Sequence, residues 1–267
     1  MTKIVIFSDL DGSLLHPISY SYDEAVPALD LIRERDIPLV LCSSKTRAEI
    51  EVYRRRLDNR HPFISENGGG IYLPAGYFPF HGPGDQREEY EVIYLGSPYE
   101  EIRKRFVEMR ERLGIAVRGF GDMSIEEVAG LTGLSIEEAR LAKQRDFEEP
   151  FIFSDKPDDR FLREIEGEKL RWTQGRFFHL MGDHHKGRAV NILRMLYERR
   201  DGPVMTIGIG DSLNDLPFLL TVDRPVLVKK ESGKHDARID IPGLVRTEGI
   251  GPAGWNEAVI RLVSELP

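Results

Sequence analysis

The ten residues Ile4-Val5-Ile6-Phe7-Ser8-Asp9-Leu10-Asp11-Gly12-Ser13 constrain the fold more than any other stretch of this 267-residue chain. An unbroken apolar run rich in β-branched side chains is the pattern of a strand buried on both faces of a parallel sheet. Open parallel sheets collect ligands at the carboxyl ends of their strands. Asp9 and Asp11 stand at that end, and Gly12 permits a sharp turn that exposes them. Such a pair reads either as a turn capped by aspartate or as a site where a cation or a proton relieves two like charges.

The neighbouring sequence supports a parallel α/β sheet. A strand over Met1–Ser8 is followed by a helical face in Asp23–Arg35, a strand in Pro38–Cys42, an amphipathic helix in Thr46–Leu57 and a short strand in Pro62–Ser65. Glu66-Asn67-Gly68-Gly69-Gly70 then leads through Ile71–Leu73 into a Pro- and Gly-rich linker at 74–84, the signature of a hairpin and a break. The text changes character after that: a strand at Tyr90–Leu95, a helix near Pro98–Leu113, a charged helical pair in Ser124–Lys143 with serine caps at Ser124 and Ser135, and strands at Phe151–Ser154 and Phe177–Met181. The α/β rhythm resumes with a helix in Gly187–Arg199, strands at Val204–Gly210 and Pro225–Val228, and a helix between them from Leu213. The expected fold is a Rossmann-like parallel sheet core with helices on both faces, formed by residues 1–83 and 182–267, plus an inserted smaller α/β cap domain at 84–181.

A net charge of −8 argues against nucleic acid or an anionic membrane as the main partner, because both demand basic surface. No apolar stretch approaches the roughly 20 residues of a membrane span. The single cysteine, Cys42, lies inside an apolar run and reads as a buried, inert thiol. With no signal-like segment at its start, a cytoplasmic protein acting on a small molecule is expected; oligomeric state is not legible.

A second acidic strand end occurs at Gly208-Ile209-Gly210-Asp211-Ser212-Leu213-Asn214-Asp215. If a helix starts near Ser212, Asp211 caps it and Asp215 lies one turn on, facing the same cleft. A dinucleotide fingerprint is excluded because Leu213 stands at the third glycine and Asp211 would repel a pyrophosphate. Oxygen ligands from two strand ends suit Mg²⁺. A zinc reading of His184 and His185, with His179 nearby, fails because adjacent imidazoles do not readily share an ion and no thiolate accompanies them. Ser43 ends the second strand, where its hydroxyl can donate to a phosphoryl oxygen. Lys186 opens a helix, against the helix dipole, a misfit that an anion beside it would explain.

Together, Asp9-Leu10-Asp11-Gly12-Ser13, Ser43, Lys186 and Gly210-Asp211-Ser212-Leu213-Asn214-Asp215 resemble the four ordered motifs of the haloacid dehalogenase superfamily, with Ser13 replacing the commoner Thr. The insertion resembles the α/β cap of its sugar-phosphate phosphatases. Ser43–Glu49, Glu66–Gly70, Arg145–Phe151 and Gly175–His179 further resemble the mannosyl-3-phosphoglycerate phosphatase family, although Phe178 stands where Tyr is expected.

The resemblance implies an Mg²⁺-dependent phosphomonoesterase. Asp9 would be the nucleophile that forms an aspartyl-phosphate, and Asp11 the proton shuttle. Asp9, Asp211 and the backbone carbonyl of Asp11 would hold the metal, with Asp215 supporting it. Ser43, Lys186 and Asn214 would serve the phosphate. Lys45, Arg47, Asn67, Arg145, Glu149, Arg176 and His179 would contact the rest of the substrate. Phosphatases for glucosyl-3-phosphoglycerate, sucrose 6-phosphate or trehalose 6-phosphate, a sugar phosphomutase and a non-catalytic sensor remain the alternatives at this stage.

Overall fold

In the computed structural model, which describes residues 3–87 and 89–265, the first strand lies in the middle of a nine-stranded sheet. Met1 and Thr2, the start of the expected strand, lie outside the described residues. In chain order the first part of the molecule comprises β1 (Lys3–Ser8), α1 (Val26–Glu34), β2 (Leu39–Cys42), α2 (Arg47–Arg56), β3 (Phe63–Ser65), β4 (Gly70–Pro74), β5 (Asp85–Gln86) and β6 (Tyr90–Tyr94). The middle comprises α3 (Tyr99–Leu113), β7 (Val117–Gly119), α4 (Ile125–Thr132), α5 (Ile136–Ala142), β8 (Glu148–Phe153), α6 (Asp159–Gly167), β9 (Arg171–Gln174) and β10 (Phe178–Met181). The last part comprises α7 (Lys186–Asp201), β11 (Val204–Gly210), α8 (Leu216–Leu219), β12 (Arg224–Lys229), β13 (Val245–Ile250) and α9 (Gly251–Glu265).

The large sheet has the order β13-β12-β11-β1-β2-β3-β4-β6-β5, parallel from β13 to β3 and antiparallel beyond. Alternation along β1 explains its central place. Ile6 faces a cluster with Leu29, Ile50, Trp255 and Val259, whereas Val5 and Phe7 face Val40, Val190, Leu193, Tyr197 and Phe218 on the other side. Helices therefore cover both faces. Cys42 is buried within the second cluster, where burial pushes its thiol well above the ordinary range.

Strand order departs in opposite directions from β1, to β2 and β3 on one side and to β11, β12 and β13 on the other. The carboxyl ends of β1 and β11 thus form the switch point at which such sheets bind ligands.

The insertion is narrower than its sequence suggests. β5 and β6, assigned above to residues 84–181, belong to the large sheet, β6 pairing with β4 and β5 with β6, so the second unit begins after them. A continuous antiparallel register through Gly70–Tyr94 and Pro74–Tyr90 outweighs the Pro- and Gly-rich text that reads as a boundary. This unit holds a four-stranded antiparallel sheet, β7-β8-β10-β9. α3 and α6 pack Phe106 and Phe161 against Phe151, and α4 and α5 pack around Phe120 and Met123 with Ile152. Ser124 and Ser135 accept the N–H groups of Glu127 and Glu138, as their spacing predicts. No helix among the described residues is long and apolar enough to cross a membrane.

Candidate active site

The Asp9 side chain emerges at the end of β1, where Trp255 Nε1 donates to Ser8 Oγ (2.9 Å) and Ser8 Oγ donates to the Asp9 carbonyl (2.7 Å). A fully buried tryptophan thus fixes the backbone that presents the carboxylate. Gly12 turns the chain at φ +81°, and a Cβ there would lie 3.0 Å from Asp211 Oδ2, so glycine is required by both conformation and space.

Lys186, the first residue of α7, is fully buried and places its ammonium 2.7 Å from Asp9 Oδ1 and 2.6 Å from Asp215 Oδ1. These carboxylates are the anions that explain a lysine at a helix N-terminus. Asp215 Oδ2 in turn accepts the N–H groups of Asp211 (2.9 Å) and Ser212 (3.1 Å), folding the loop after β11 around itself. The expected capping is therefore reversed: Asp215 reaches back to the loop, while the Asp211 carboxylate stays free to accept only the Ser212 hydroxyl at 2.7 Å.

The Lys186 ammonium bridges two carboxylates, Asp9 and Asp215, and a third, Asp211, stands beside them. Oxygens of Asp9, Asp211 and Asp215 all lie within 4.8 Å of one another. Burial, opposed by Lys186 and reinforced by Asp215 and Asp211, pushes Asp9 well above the usual carboxylate range. Burial and the adjacent Asp215 push Asp211 up to about 7. Burial would lower Lys186, yet Asp215 and Asp9 reverse that and hold it fully charged. The excess of hard, crowded oxygen donors fits a small divalent cation between Asp9 and Asp211. Asp215 has both oxygens occupied by Lys186 and the backbone.

Asp11 is engaged differently. Its Oδ2 lies 3.0 Å from Lys45 Nζ, while Oδ1 is buried without a protein partner. Ser43, at the turn after β2, is buried and accepts the Lys45 N–H at 3.2 Å.

A cleft of about 590 Å³ between the two units is lined by Asp9, Asp11, Lys45, Arg145, Arg176, His179, Asp211 and Asn214, joining expected residues from five separate segments. Asn67 is buried behind it: Asn214 Nδ2 donates to Asn67 Oδ1 (3.2 Å), and Asn67 Nδ2 donates to Glu148 Oε2 (2.8 Å). Glu148 also pairs with Arg145 (3.0 Å) and His179 (2.9 Å). Arg145 donates to the Ser44 carbonyl (2.8 Å), and Glu66 accepts the N–H groups of Asp146, Phe147 and Glu148, seating the inserted unit on the sheet.

Two expected substrate residues stand elsewhere. Arg47 lines a separate cavity with Tyr72, Tyr90 and Asp146, because as the first residue of α2 it projects away from the cleft. Glu149 points into the inserted unit, where it accepts from Tyr99 Oη and the Gly121 N–H (2.7 Å). Alternation along β8 is the reason: neighbours on a strand face opposite sides, so Glu148 rather than Glu149 reaches the cleft residues. Glu148, Glu66 and Glu49 were missed. Glu49 alone had a local signal, its position three residues after the helix-capping Thr46.

Residues 6–86 match the family of haloacid dehalogenase-like hydrolases. The chain is 44% identical to a glucosyl-3-phosphoglycerate/mannosyl-3-phosphoglycerate phosphatase of Methanococcoides burtonii, with 98% of each chain covered. It is 38% identical to a mannosyl-3-phosphoglycerate phosphatase of Pyrococcus furiosus, over 84% of this chain and 90% of that one. At the level of fold it is similar to a Thermoplasma acidophilum protein, with a TM-score of 0.72 at 17% identity, covering 98% of this chain and 99% of that one. This chain belongs to the haloacid dehalogenase-like phosphatases, in the branch that its glucosyl- and mannosyl-3-phosphoglycerate phosphatase relatives occupy.

Proposed function

We propose that the protein is a phosphomonoesterase that works through an aspartyl-phosphate on Asp9 and releases phosphate from mannosyl-3-phosphoglycerate or glucosyl-3-phosphoglycerate. The observation that carries the reading is the buried Asp9 carboxylate, held by Lys186 at the mouth of a cleft that also contains Asp11.

Asp9 attacks phosphorus in line as the phosphorus–ester oxygen bond breaks, and Asp11 gives its proton to the departing alkoxide. Water then attacks phosphorus, Asp11 takes a proton from it, and the bond to Asp9 breaks to free inorganic phosphate. Lys186 neutralises charge on the phosphoryl oxygens, with Ser43 as a further donor. Mg²⁺ bound by Asp9 and Asp211 would keep Asp9 ionised and offset charge on the phosphoryl group. Asp215 positions Lys186 and the Asp211 loop.

Two features support a substrate with a carboxylate beside its phosphate. The named relatives act on glycosyl-phosphoglycerates. Arg176 lines the cleft with a guanidinium bound to the carbonyls of Thr132 (2.8 Å) and Leu131 (3.1 Å), and no carboxylate pairs with it among the described residues. Arg–carboxylate recognition would use its remaining donors.

Phosphate release from mannosyl-3-phosphoglycerate, glucosyl-3-phosphoglycerate, sucrose 6-phosphate, mannose 6-phosphate and trehalose 6-phosphate tests the reading. The two phosphoglycerate esters should lead in kcat/KM. A plain sugar phosphate in first place would refute the substrate, and sugar isomerisation without net release would favour a mutase.

A further inference from the structure

A buried chain of amides decides which atom of Asn214 meets the cleft. Glu148 is fully buried and pairs with Arg145 (3.0 Å) and His179 (2.9 Å), so it stays ionised and can only accept hydrogen bonds. Its Oε2 accepts from Asn67 Nδ2 at 2.8 Å, which turns Asn67 Oδ1 the other way. That oxygen accepts from Asn214 Nδ2 at 3.2 Å. An acceptor-only group at one end thus fixes the direction of both amides, and Asn214 Oδ1 is left pointing away from Asn67.

Both ends of this chain are well placed. Asn67 is held from behind: its N–H donates to the Ser43 carbonyl (3.0 Å), and its backbone is left-handed at φ 52°. Asn214 lines the cleft together with Gly175, and a Cβ on Gly175 would lie 3.7 Å from Asn214 Oδ1. The oxygen therefore faces the hairpin between β9 and β10, beside Arg176, and glycine leaves it uncovered. A free amide oxygen needs a donor, and a phosphoryl dianion offers none. In a glycosyl-phosphoglycerate every hydroxyl belongs to the sugar.

We propose that Asn214 is a specificity residue whose Oδ1 accepts a hydroxyl of the substrate's sugar, and that Asn67 is the positioning residue that passes the polarity of Glu148 on to it. This rests on the reading of the substrate as a glycosyl-phosphoglycerate. It takes Asn214 out of the phosphate site in which the family resemblance places it.

The experiment measures kcat/KM on glucosyl-3-phosphoglycerate, and the competitive inhibition constant of inorganic phosphate with Mg²⁺ present, for wild type, Asn214→Ala, Asn67→Gly and the double variant. Glycine at position 67 keeps the left-handed backbone and removes only the amide. Asn214→Ala should lower kcat/KM about tenfold, the scale of one neutral hydrogen bond, with the phosphate constant within about twofold of wild type. Asn67→Gly should lower kcat/KM at least about threefold, again without moving the phosphate constant. The double variant should be no worse than Asn214→Ala, because Asn67 acts only through Asn214.

A phosphate constant that rises in step with the loss of kcat/KM would put Asn214 on the phosphate and overturn the proposal. An unchanged kcat/KM in Asn214→Ala, or a double variant whose loss is the product of the single losses, would overturn it too. If Asn67→Gly fails to fold by circular dichroism, Asn67→Ala takes its place in the cycle, and failure of both makes the amide structural and overturns the relay. Wild type that releases no phosphate from the ester overturns the parent reading, before any variant is compared.

Discussion

Lys186 Nζ lies 2.7 Å from Asp9 Oδ1, and neither side chain is more than 6% exposed. The same ammonium meets Asp215 at 2.6 Å. Replacing it by methionine strands buried carboxylates without their counter-charge. Lys186→Met should lose about 3–5 kcal/mol of stability in urea unfolding, beyond its loss of turnover. A destabilisation under about 1 kcal/mol would mean the pair is not the structural centre of the site.

Asp9→Asn separates chemistry from stability. Burial with two neighbouring carboxylates opposes the charged form of Asp9, so removing that charge relieves the metal-free protein. The variant should lose at least roughly 10³-fold in kcat. Its melting temperature without metal should match or exceed wild type. A large drop in melting temperature would show that Asp9 is chiefly structural.

Metal should act on stability as well as on rate. A ligand that binds only the folded chain stabilises it by about 2.7 kcal/mol at a hundred times its dissociation constant. Mg²⁺ should therefore raise the melting temperature of wild type. Asp211→Asn should abolish that rise, and EDTA should reverse both the rise and the activity. An Mg²⁺-dependent rise that survives in Asp211→Asn would remove Asp211 from the metal site.

The cluster around Glu148 has a pH signature. Burial raises a carboxyl, but His179, Arg145 and Asn67 together outweigh it and hold Glu148 below its ordinary value. Its contribution to stability is thus complete above about pH 4.5 and is lost as pH falls through the depressed value. Glu148→Gln should be less stable than wild type by about 3 kcal/mol at neutral pH, and the gap should narrow in acid. A gap that does not change with pH would contradict the assignment.

Much of the catalytic end was legible because its residues follow strands whose character is local. An apolar run ending in Asp9 and Asp11, and another ending at Asp211, state both the element and the end at which ligands collect. Lys186 was legible as a misfit. The seating of the inserted unit was not, because it depends on long-range register: β6 joins the large sheet only through its pairing with β4. Strand phase hid the choice between Glu148 and Glu149, since neighbouring identical residues give no indication of which faces the cleft. Lys45 lines the cleft, but the partners of its ammonium, Asp11, Glu49 and two tyrosines, come from separate segments and were not legible in the sequence.

The central claim is that Asp9 carries the phosphoryl group. Wild-type enzyme mixed with Mg²⁺ and glucosyl-3-phosphoglycerate, quenched in acid within one turnover and digested for mass spectrometry, should show a phosphoryl group on the peptide containing Asp9 and none in Asp9→Asn. Phosphate release by Asp9→Asn at the wild-type rate, with no phosphopeptide from either protein, would contradict the account.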